Sequence, residues 1–243
     1  SVAESVPLLA GQLNRLAKAS LEKTRPFTAT LTGDIGNYSE TYRARFQELV
    51  GDDPQVELLA PTWSGQNHHL ARADLAVRLL HQLLIRPLLP DQNVLLWGHS
   101  HAGNAFALLT NLLANHKTSV AEFFNAAAQD GVRHWDEVRT HLESSASPHP
   151  LVSQVLIAGF ATPVRYGWDN DGYANLVHVV FHRPYDSENP TKTKPLFPLL
   201  SLEDVACAKW GDWVQAFSIA GTDTSSMPTR AINRNLSAVL ESN

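Results

Sequence analysis

One short stretch of the chain combines residue types that suit nucleophilic chemistry. The apolar run from Val94 to Trp97 ends at Gly98, and Ser100 follows between two histidines. Helix-compatible residues come next, at 104–113. This order predicts a strand, a sharp turn and a helix, with the serine hydroxyl at the carboxyl end of the strand and beside free N–H groups of the helix. Gly98 and Gly103 provide the small residues that such a strained turn needs.

The two histidines beside the serine offer a different chemistry. His99 and His101 carry imidazoles, which are ligands that zinc prefers. Alternate residues at the end of a strand point in opposite directions, however, and no downstream Asp-His pair completes a metal-hydrolase pattern. We therefore expect neither a metal ion nor another cofactor, and the serine is the stronger candidate.

The composition is that of an ordinary globular protein. The 243 residues suit one α/β domain, and 44% apolar with 18% charged residues is typical of folded chains. A net charge of −5 gives no reason to expect nucleic acid or an anionic membrane as a partner. The single Cys207 excludes an internal disulfide. No apolar run approaches the roughly 18 residues of a spanning helix, so we expect no integral membrane segment and a cytoplasmic location.

Apolar periodicity and turn residues predict strands that alternate with helices along the chain. Strands are expected at residues 27–31, 56–59, 94–97, 154–160, 176–181 and 213–220, and helices at 7–23, 38–50, 68–86, 104–113 and 228–240. Residues 115–150 are interpreted as a partly helical excursion, broken at Asp130 and Gly131, that caps a site. This alternation predicts an α/β fold with a mostly parallel sheet of about six or more strands and helices on both faces. Sites in such sheets form at the carboxyl ends of the strands.

The serine turn, residues 98–103, resembles the nucleophile elbow of the α/β-hydrolases, particularly of their lipase and esterase branch. The serial arrangement of strands is similar to that fold over most of the chain. Residues 61–67 and 159–167 resemble a poorly characterised lipase-like group within it. One position departs from the family's pattern, because Ala102 stands where the family has glycine. The resemblance implies a single α/β-hydrolase domain, with the excursion at 115–150 as an insertion.

The resemblance also implies roles for individual residues. Ser100 is the nucleophile that attacks a carboxylic ester, small or lipid-like, and forms an acyl-enzyme that water releases. The backbone N–H groups of His101 and Asp34 form the oxyanion hole, although Thr32 replaces the histidine that hydrolases often carry in the second loop. Asp223 is the acid that orients the catalytic base.

The catalytic base is the one member of this set that the resemblance does not assign to a residue. The family places its catalytic histidine after the acid, but no histidine follows Asp223. Either the natural chain continues beyond Asn243 with a last strand, helix and base, or His182 serves from the end of its strand, or the protein is a non-catalytic member that binds a ligand. We favour the first, and His182 is the best base within the sequence. Asp169 and Asp186 are reserve candidates for the acid.

The sequence also predicts where several tryptophan and histidine side chains lie. Trp97 lies in the apolar run before the serine and is expected in the core. Trp63 and Trp168 lie in loops beyond strand ends, where they can line an apolar acyl pocket. His68 and His69 begin a predicted helix and are expected to be solvated.

Overall fold

The computed structural model describes residues 38–51, 53, 55–163, 165–179 and 225–240. The chain divides into two compact units, with the boundary between Ser64 and Gly65. The candidate serine lies in the second unit. The elements predicted at 7–23, 27–31 and 213–220 lie outside the described residues, so they stay predictions.

The helix predicted at 38–50 is confirmed in the first unit as α1, Glu40–Val50. It begins where the Ser39 side chain accepts a hydrogen bond from the Tyr42 N–H at 3.3 Å. It ends at Gly51, whose φ of 79° is a conformation that glycine adopts without a steric penalty.

The strand predicted at 56–59 is wrong. Residues 56–64 contain neither helix nor strand, and the Val56 N–H donates to the Asp53 carbonyl at 3.0 Å in a turn. A strand needs a neighbour for its backbone hydrogen bonds, and a short run with three apolar residues carries no information about that neighbour.

The second unit contains a parallel sheet of three described strands: β1 (Val94–His99), β2 (Val155–Phe160) and β3 (Asn175–Val179), in that order. Gly98 pairs with Gly159, which pairs with His178. All three strands confirm predicted runs. Because they run parallel, their carboxyl ends meet at one edge, where Ser100 follows β1. A sheet of about six strands stays a prediction.

The helices described in the second unit confirm the predicted helical segments. They are α2 (His69–Ile85), α3 (His101–Ala114), α4 (Lys117–Ala127), α5 (Arg133–Ser144) and α6 (Arg230–Leu240), with short 3-10 turns at Pro150–Gln154, Asn170–Gly172 and Met227–Thr229. The break expected at Asp130 and Gly131 separates α4 from α5. None of the helices in the described ranges combines the length and the apolar character that crossing a membrane requires.

The two faces of the sheet differ in exposure. On one face Leu96 and Ile157 are buried, and the Phe106 ring of α3 packs beneath Gly98. Large apolar side chains of the other face are between 38% and 53% exposed: Leu95, Trp97, Val177 and Val179. The prediction that Trp97 lies in the core is therefore wrong, because strand alternation turns it away from α3. Helices on both faces stay a prediction.

The excursion at 115–150 leaves and rejoins the sheet layer at the end of α3 that is remote from Ser100. The Ser147 hydroxyl donates to the carbonyl of Asn115, the C-cap of α3. With its 14 residues, α3 separates this end from Ser100 by about 20 Å. Within the excursion α4 packs against α6, and α5 packs against α2. A role as a cap over the site stays a prediction.

Candidate active site

Ser100 lies at the apex of the turn between β1 and α3. Its N–H donates to the Phe160 carbonyl at 2.9 Å, and its carbonyl accepts from the Gly103 N–H at 3.0 Å. Its φ of 55° and ψ of −123° lie outside the regions that a residue with a Cβ adopts readily. Such a conformation costs on the order of 1–3 kcal/mol and persists only where the surrounding structure enforces it. The predicted strand, turn and helix are confirmed.

The glycines that flank the serine leave no room for a side chain. A Cβ on Gly98 would lie 2.7 Å from Cζ of Phe106, and one on Gly103 would lie 2.8 Å from Cβ of Thr162. Both distances are shorter than van der Waals contact, so the prediction that small residues are required here is confirmed. Ala102 fits the turn with its methyl group in place, which accounts for the departure from glycine at this position.

The Ser100 hydroxyl does not cap its helix. A capping serine accepts a hydrogen bond from one of the first backbone N–H groups of the helix, but Ser100 makes no such bond to α3. The residue is partly buried, and among the described residues its hydroxyl has no hydrogen-bond partner. The hydroxyl is therefore available to a base and to a substrate.

His101 places both a backbone donor and an imidazole beside the serine. Its N–H is the first of α3, where backbone N–H groups have no acceptor within the helix. Burial, together with the smaller effect of the positive charges of Arg72 and Arg165, lowers the pKa of its side chain to about 4. The imidazole is therefore neutral at pH 7, and its Nδ1 is buried with no hydrogen-bond partner among the described residues.

Four polar side chains at the start of α2 and beyond β2 form a connected group, here called the Tyr166 cluster: His69, Arg72, Arg165 and Tyr166. The Tyr166 hydroxyl contacts Nδ1 of His69 at 2.8 Å and accepts from Nε of Arg72 at 2.8 Å. Nη2 of Arg165 lies 3.1 Å from Nε2 of His69. Since arginine only donates, Nε2 of His69 accepts, and its Nδ1–H donates to Tyr166.

The cluster lies at the same edge of the sheet as Ser100, with His69, Arg72 and Tyr166 buried and Arg165 partly buried. Burial raises the pKa of the Tyr166 hydroxyl, and the positive charges of Arg72 and Arg165 oppose that rise. The segment that carries Arg165 and Tyr166 follows the end of β2, where Phe160 accepts the Ser100 N–H. Thr162 of this segment packs against Gly103 of the serine turn.

The prediction that His68 and His69 are solvated is wrong, because they are only 5% and 1% exposed. His69 and Arg72 lie three residues apart on the helix face that also buries Ala76. That spacing was a signal of burial, but the Tyr166 partner lies 97 residues from His69 in the sequence. No local pattern reveals a contact of that range.

Several predicted site residues lie outside the described residues. Asp34, His182 and Asp223, assigned to the oxyanion hole, the base and the acid, belong to this group, as does the reserve acid Asp186. Their assignments stay predictions.

The other reserve acid, Asp169, lies in the wrong place for catalysis at Ser100. Its carboxylate pairs with Nε2 of His116 at 3.1 Å, and its N–H donates to Oγ1 of Thr110 at 3.2 Å. Thr110 lies on α3 about 15 Å from Ser100 along the helix axis. Asp169 therefore makes its contacts near the C-terminal half of α3, too far from the serine to orient a base there.

Trp63 and Trp168, the two side chains expected to line an acyl pocket, belong to different compact units of the chain. Trp168 is partly buried, with its ring centroid 4.9 Å from that of His178. Trp63 belongs to the first unit. An acyl pocket that these side chains line stays a prediction.

The histidines beside the serine are not part of a metal-binding group among the described residues. One set of three potential ligands is found in those residues, His116, Asp169 and Asp171, with ligand atoms within 4.8 Å of one another. It lies near the C-terminal end of α3 rather than at the serine.

Comparison of the chain with protein-family models, curated proteins and solved structures found no match. The likeness to the α/β-hydrolases therefore rests on the serine turn and on the order of strands and helices. Membership of that family is a proposal.

Proposed function

We propose that this protein is a serine hydrolase that cleaves carboxylic esters through an acyl-enzyme on Ser100. One observation carries the proposal: a serine between β1 and α3 holds an unfavourable backbone conformation, and its hydroxyl has no structural use among the described residues. Backbone strain that local structure does not need is typical of functional sites. The six-stranded α/β-hydrolase fold is part of the same proposal.

In the proposed reaction the base removes the Ser100 proton as the hydroxyl oxygen attacks the ester carbonyl. Negative charge develops on the carbonyl oxygen, and the N–H groups of His101 and Asp34 stabilise it together with the amino end of α3. The alcohol leaves with the proton from the base, and water then hydrolyses the acyl-enzyme. Asp223 orients the base, which is His182 or a histidine beyond Asn243.

A neutral His101 side chain suits this chemistry. Because its pKa is lowered to about 4, the imidazole adds no proton and no charge of its own at pH 7. Its backbone N–H is then the group that it contributes. The loss of one such donor typically lowers kcat by about 100-fold to 1,000-fold.

The alternative is a non-catalytic protein of the same fold that binds a ligand at this edge. No histidine follows Asp223 within the printed sequence, so the base of the proposed reaction stays open. The intact mass of the natural protein distinguishes the hydrolase from the binding protein. A natural chain that ends at Asn243 supports the binding protein, and a longer chain with a further histidine supports the hydrolase.

The test is hydrolysis of 4-nitrophenyl esters of increasing acyl length by the wild-type protein, by Ser100→Ala and by Ser153→Ala. Ser153 is an exposed control far from the turn, and its hydroxyl donates to the Pro150 carbonyl. We expect Ser100→Ala to lose activity by at least about 1,000-fold, as nucleophile removal does in other serine hydrolases, while Ser153→Ala keeps it. Equal activity in both variants contradicts the proposal.

A further inference from the structure

An imidazole and two carboxylates converge near the C-terminal end of α3, away from the serine turn. They belong to His116, Asp169 and Asp171, and their ligand atoms all lie within 4.8 Å of one another. Nε2 of His116 and Oδ2 of Asp169 are 3.1 Å apart. Atoms that bond one zinc ion at about 2.0–2.2 Å lie about 3.0–3.5 Å from each other. The pair therefore already has the spacing of two ligands of one ion.

The third ligand reaches the same spacing by a rotation of its side chain. Asp171 is exposed, and its carboxylate makes no hydrogen bond or ion pair with the described residues. Its ligand atom is at most 4.8 Å from the other two, so a movement of about 1–2 Å brings it to the distance between ligands of one ion. None of the interactions among the described residues has to break for this movement.

The backbone that carries the two carboxylates is fixed against α3. The Asp169 N–H donates to Oγ1 of Thr110, a residue that is 0% exposed. Oδ1 of Asp169 accepts from the Asp171 N–H at 3.0 Å, which leaves Oδ2 directed at His116. A Cβ on Gly172 would overlap the Thr110 carbonyl, so this turn lies directly on the helix. Hydrogen bonds that orient ligands in this way strengthen the binding of a metal ion.

The charges in this group favour a cation of a particular class. Neither carboxylate pairs with a lysine or an arginine within the part of the chain that the structure describes, where the ionic partner of Asp169 is His116. Two neighbouring carboxylates repel each other, and a divalent cation removes that repulsion. The imidazole nitrogen selects transition-metal ions such as Zn²⁺, because Mg²⁺ and Ca²⁺ prefer oxygen ligands.

We propose that His116, Asp169 and Asp171 bind one Zn²⁺ ion that stabilises the fold. Three protein ligands leave the fourth tetrahedral position to water. The ion connects His116, the N-cap of α4, with the 3-10 turn at Asn170–Gly172. Thr110, which contacts Asp169, lies about 15 Å from Ser100 along α3, so the ion does not reach an ester at the serine.

Zinc titration by calorimetry tests the site, in protein without a His tag that EDTA has stripped of metal. We expect the wild-type protein to bind one Zn²⁺ and Asp171→Asn to bind it at least about tenfold more weakly, because even the loss of a residue that only orients a ligand has an effect of this size. Asp130→Asn is the matched control, since it removes the same charge from an exposed aspartate that pairs with Arg139, and its affinity should be unchanged. Equal titrations of all three proteins indicate an adventitious ion only and contradict the proposal, as does the absence of binding.

Thermal unfolding separates a metal ligand from a carboxylate that only supports the fold. At a free Zn²⁺ concentration of about 100 times the wild-type Kd, we expect the Tm of the wild-type protein to rise by about 5–10 °C above its value in EDTA. Asp171→Asn should show at most about half of that rise at the same concentration. Its Tm in EDTA should equal that of the wild-type protein, because the carboxylate makes no bond among the described residues. A Tm that is lowered equally in EDTA and in zinc contradicts the proposal.

Two further measurements test the identity and the role of the ion. An equal concentration of Ca²⁺ or Mg²⁺ should not displace Zn²⁺ from the wild-type protein, and displacement contradicts the assignment of the ion. Ester hydrolysis by the wild-type protein should be the same in EDTA and in zinc at a temperature where both forms are folded. A loss of hydrolysis in EDTA at that temperature contradicts a stabilising role.

Discussion

The two ends of α3 carry the same unusual backbone angle for different reasons. Ser100 before the helix and Asn115 after it both have a φ of 55°. Asn115 has a ψ of 41°, which places it in the left-handed region that asparagine adopts at many helix C-termini. Ser100 has a ψ of −123°, which no residue with a Cβ adopts readily.

The surroundings of Asn115 explain its conformation. Its Nδ2 donates to the carbonyls of Leu142 and Ala146 at 3.1 and 2.9 Å, and thereby ties the end of α3 to the end of α5. Nζ of Lys117 donates to the Ser145 carbonyl at 2.6 Å in the same region. The left-handed conformation of Asn115 therefore allows the hydrogen bonds that connect the C-terminal ends of α3 and α5.

The surroundings of Ser100 do not explain its conformation in that way. The serine makes no capping bond to α3, and its hydroxyl has no hydrogen-bond partner among the described residues. Strain at the Asn115 end therefore serves structure, whereas strain at the Ser100 end has no structural explanation among the described residues.

The largest difference between the two ends is expected in activity. Ser100→Ala removes the nucleophile, so kcat for ester hydrolysis falls by at least about 1,000-fold. Asn115→Ala leaves kcat within about a factor of three at a temperature where it is folded, because the residue lies about 20 Å from the serine. Steady-state kinetics of both variants measures the contrast. A large loss of kcat in folded Asn115→Ala contradicts it.

The next largest effect is expected in the dependence of stability on pH. Burial lowers the pKa of His101, and also that of His149 near the Asn115 end, from 6.5 to about 4. Below pH 6.5 the unfolded state takes up these protons and the native state does not. The free energy of unfolding is therefore complete above pH 6.5 and falls as the pH decreases to about 4, by at most about 3 kcal/mol per histidine.

His149→Gln tests this pH dependence at the structural end. In the wild-type protein Nδ1 of His149 accepts from the Leu151 N–H at 3.1 Å, and protonation removes that acceptor. Urea unfolding at pH 7.0, 5.5 and 4.5 should show a shallower decrease in the variant. Identical decreases in both proteins exclude His149 as a cause, and His101→Gln then tests the other end.

A smaller effect is expected from adding a methyl group to the serine turn at a position where the structure leaves no room for it. Gly103→Ala directs a methyl group at Thr162 and should destabilise the protein by about 1–3 kcal/mol. Gly167→Ala is the matched control, because a Cβ there meets no atom within 4 Å, and it should change stability by less than about 0.5 kcal/mol. Denaturant unfolding of both variants provides the comparison. Equal free energies of unfolding would show that the Thr162 side chain moves away from the added methyl group without destabilising the protein.

The smallest effect is expected from relief of strain. Ser100→Gly removes the Cβ that disfavours the observed φ and ψ, and we expect a gain of about 1 kcal/mol in the free energy of unfolding. Asn115→Ala loses the amide bonds to α5, and we expect a loss of about 1–3 kcal/mol. Thermal unfolding of the pair gives opposite signs if the two ends differ as described. A loss in Ser100→Gly indicates that the serine side chain supports the fold.

Much of the framework around the serine follows from local patterns in the sequence. The helical spacing of apolar residues predicted α2, and the apolar run with its glycines predicted β1 and the serine turn. These predictions succeed because hydrophobic periodicity and steric demands at glycine are local properties. The run at 56–59 has no such support, and its predicted strand is wrong.

Features that depend on distant contacts were not predictable in the same way. The burial of His69 depends on Tyr166, and the exposure of Trp97 depends on which sheet face α3 covers. Asp169 was a reasonable acid by its position after a strand, but its segment packs along α3 toward His116. A single sequence does not encode such placements in any local pattern.

Covalent labelling is the sharpest test of Ser100 as a nucleophile. A fluorophosphonate reacts with an activated serine and adds a fixed mass, which peptide mass spectrometry assigns to one residue. We expect a stoichiometric adduct on Ser100 in the wild-type protein and none in Ser100→Ala. A full-length, folded protein without an adduct on Ser100, or with its adduct on another serine, contradicts the claim that this turn presents a nucleophile.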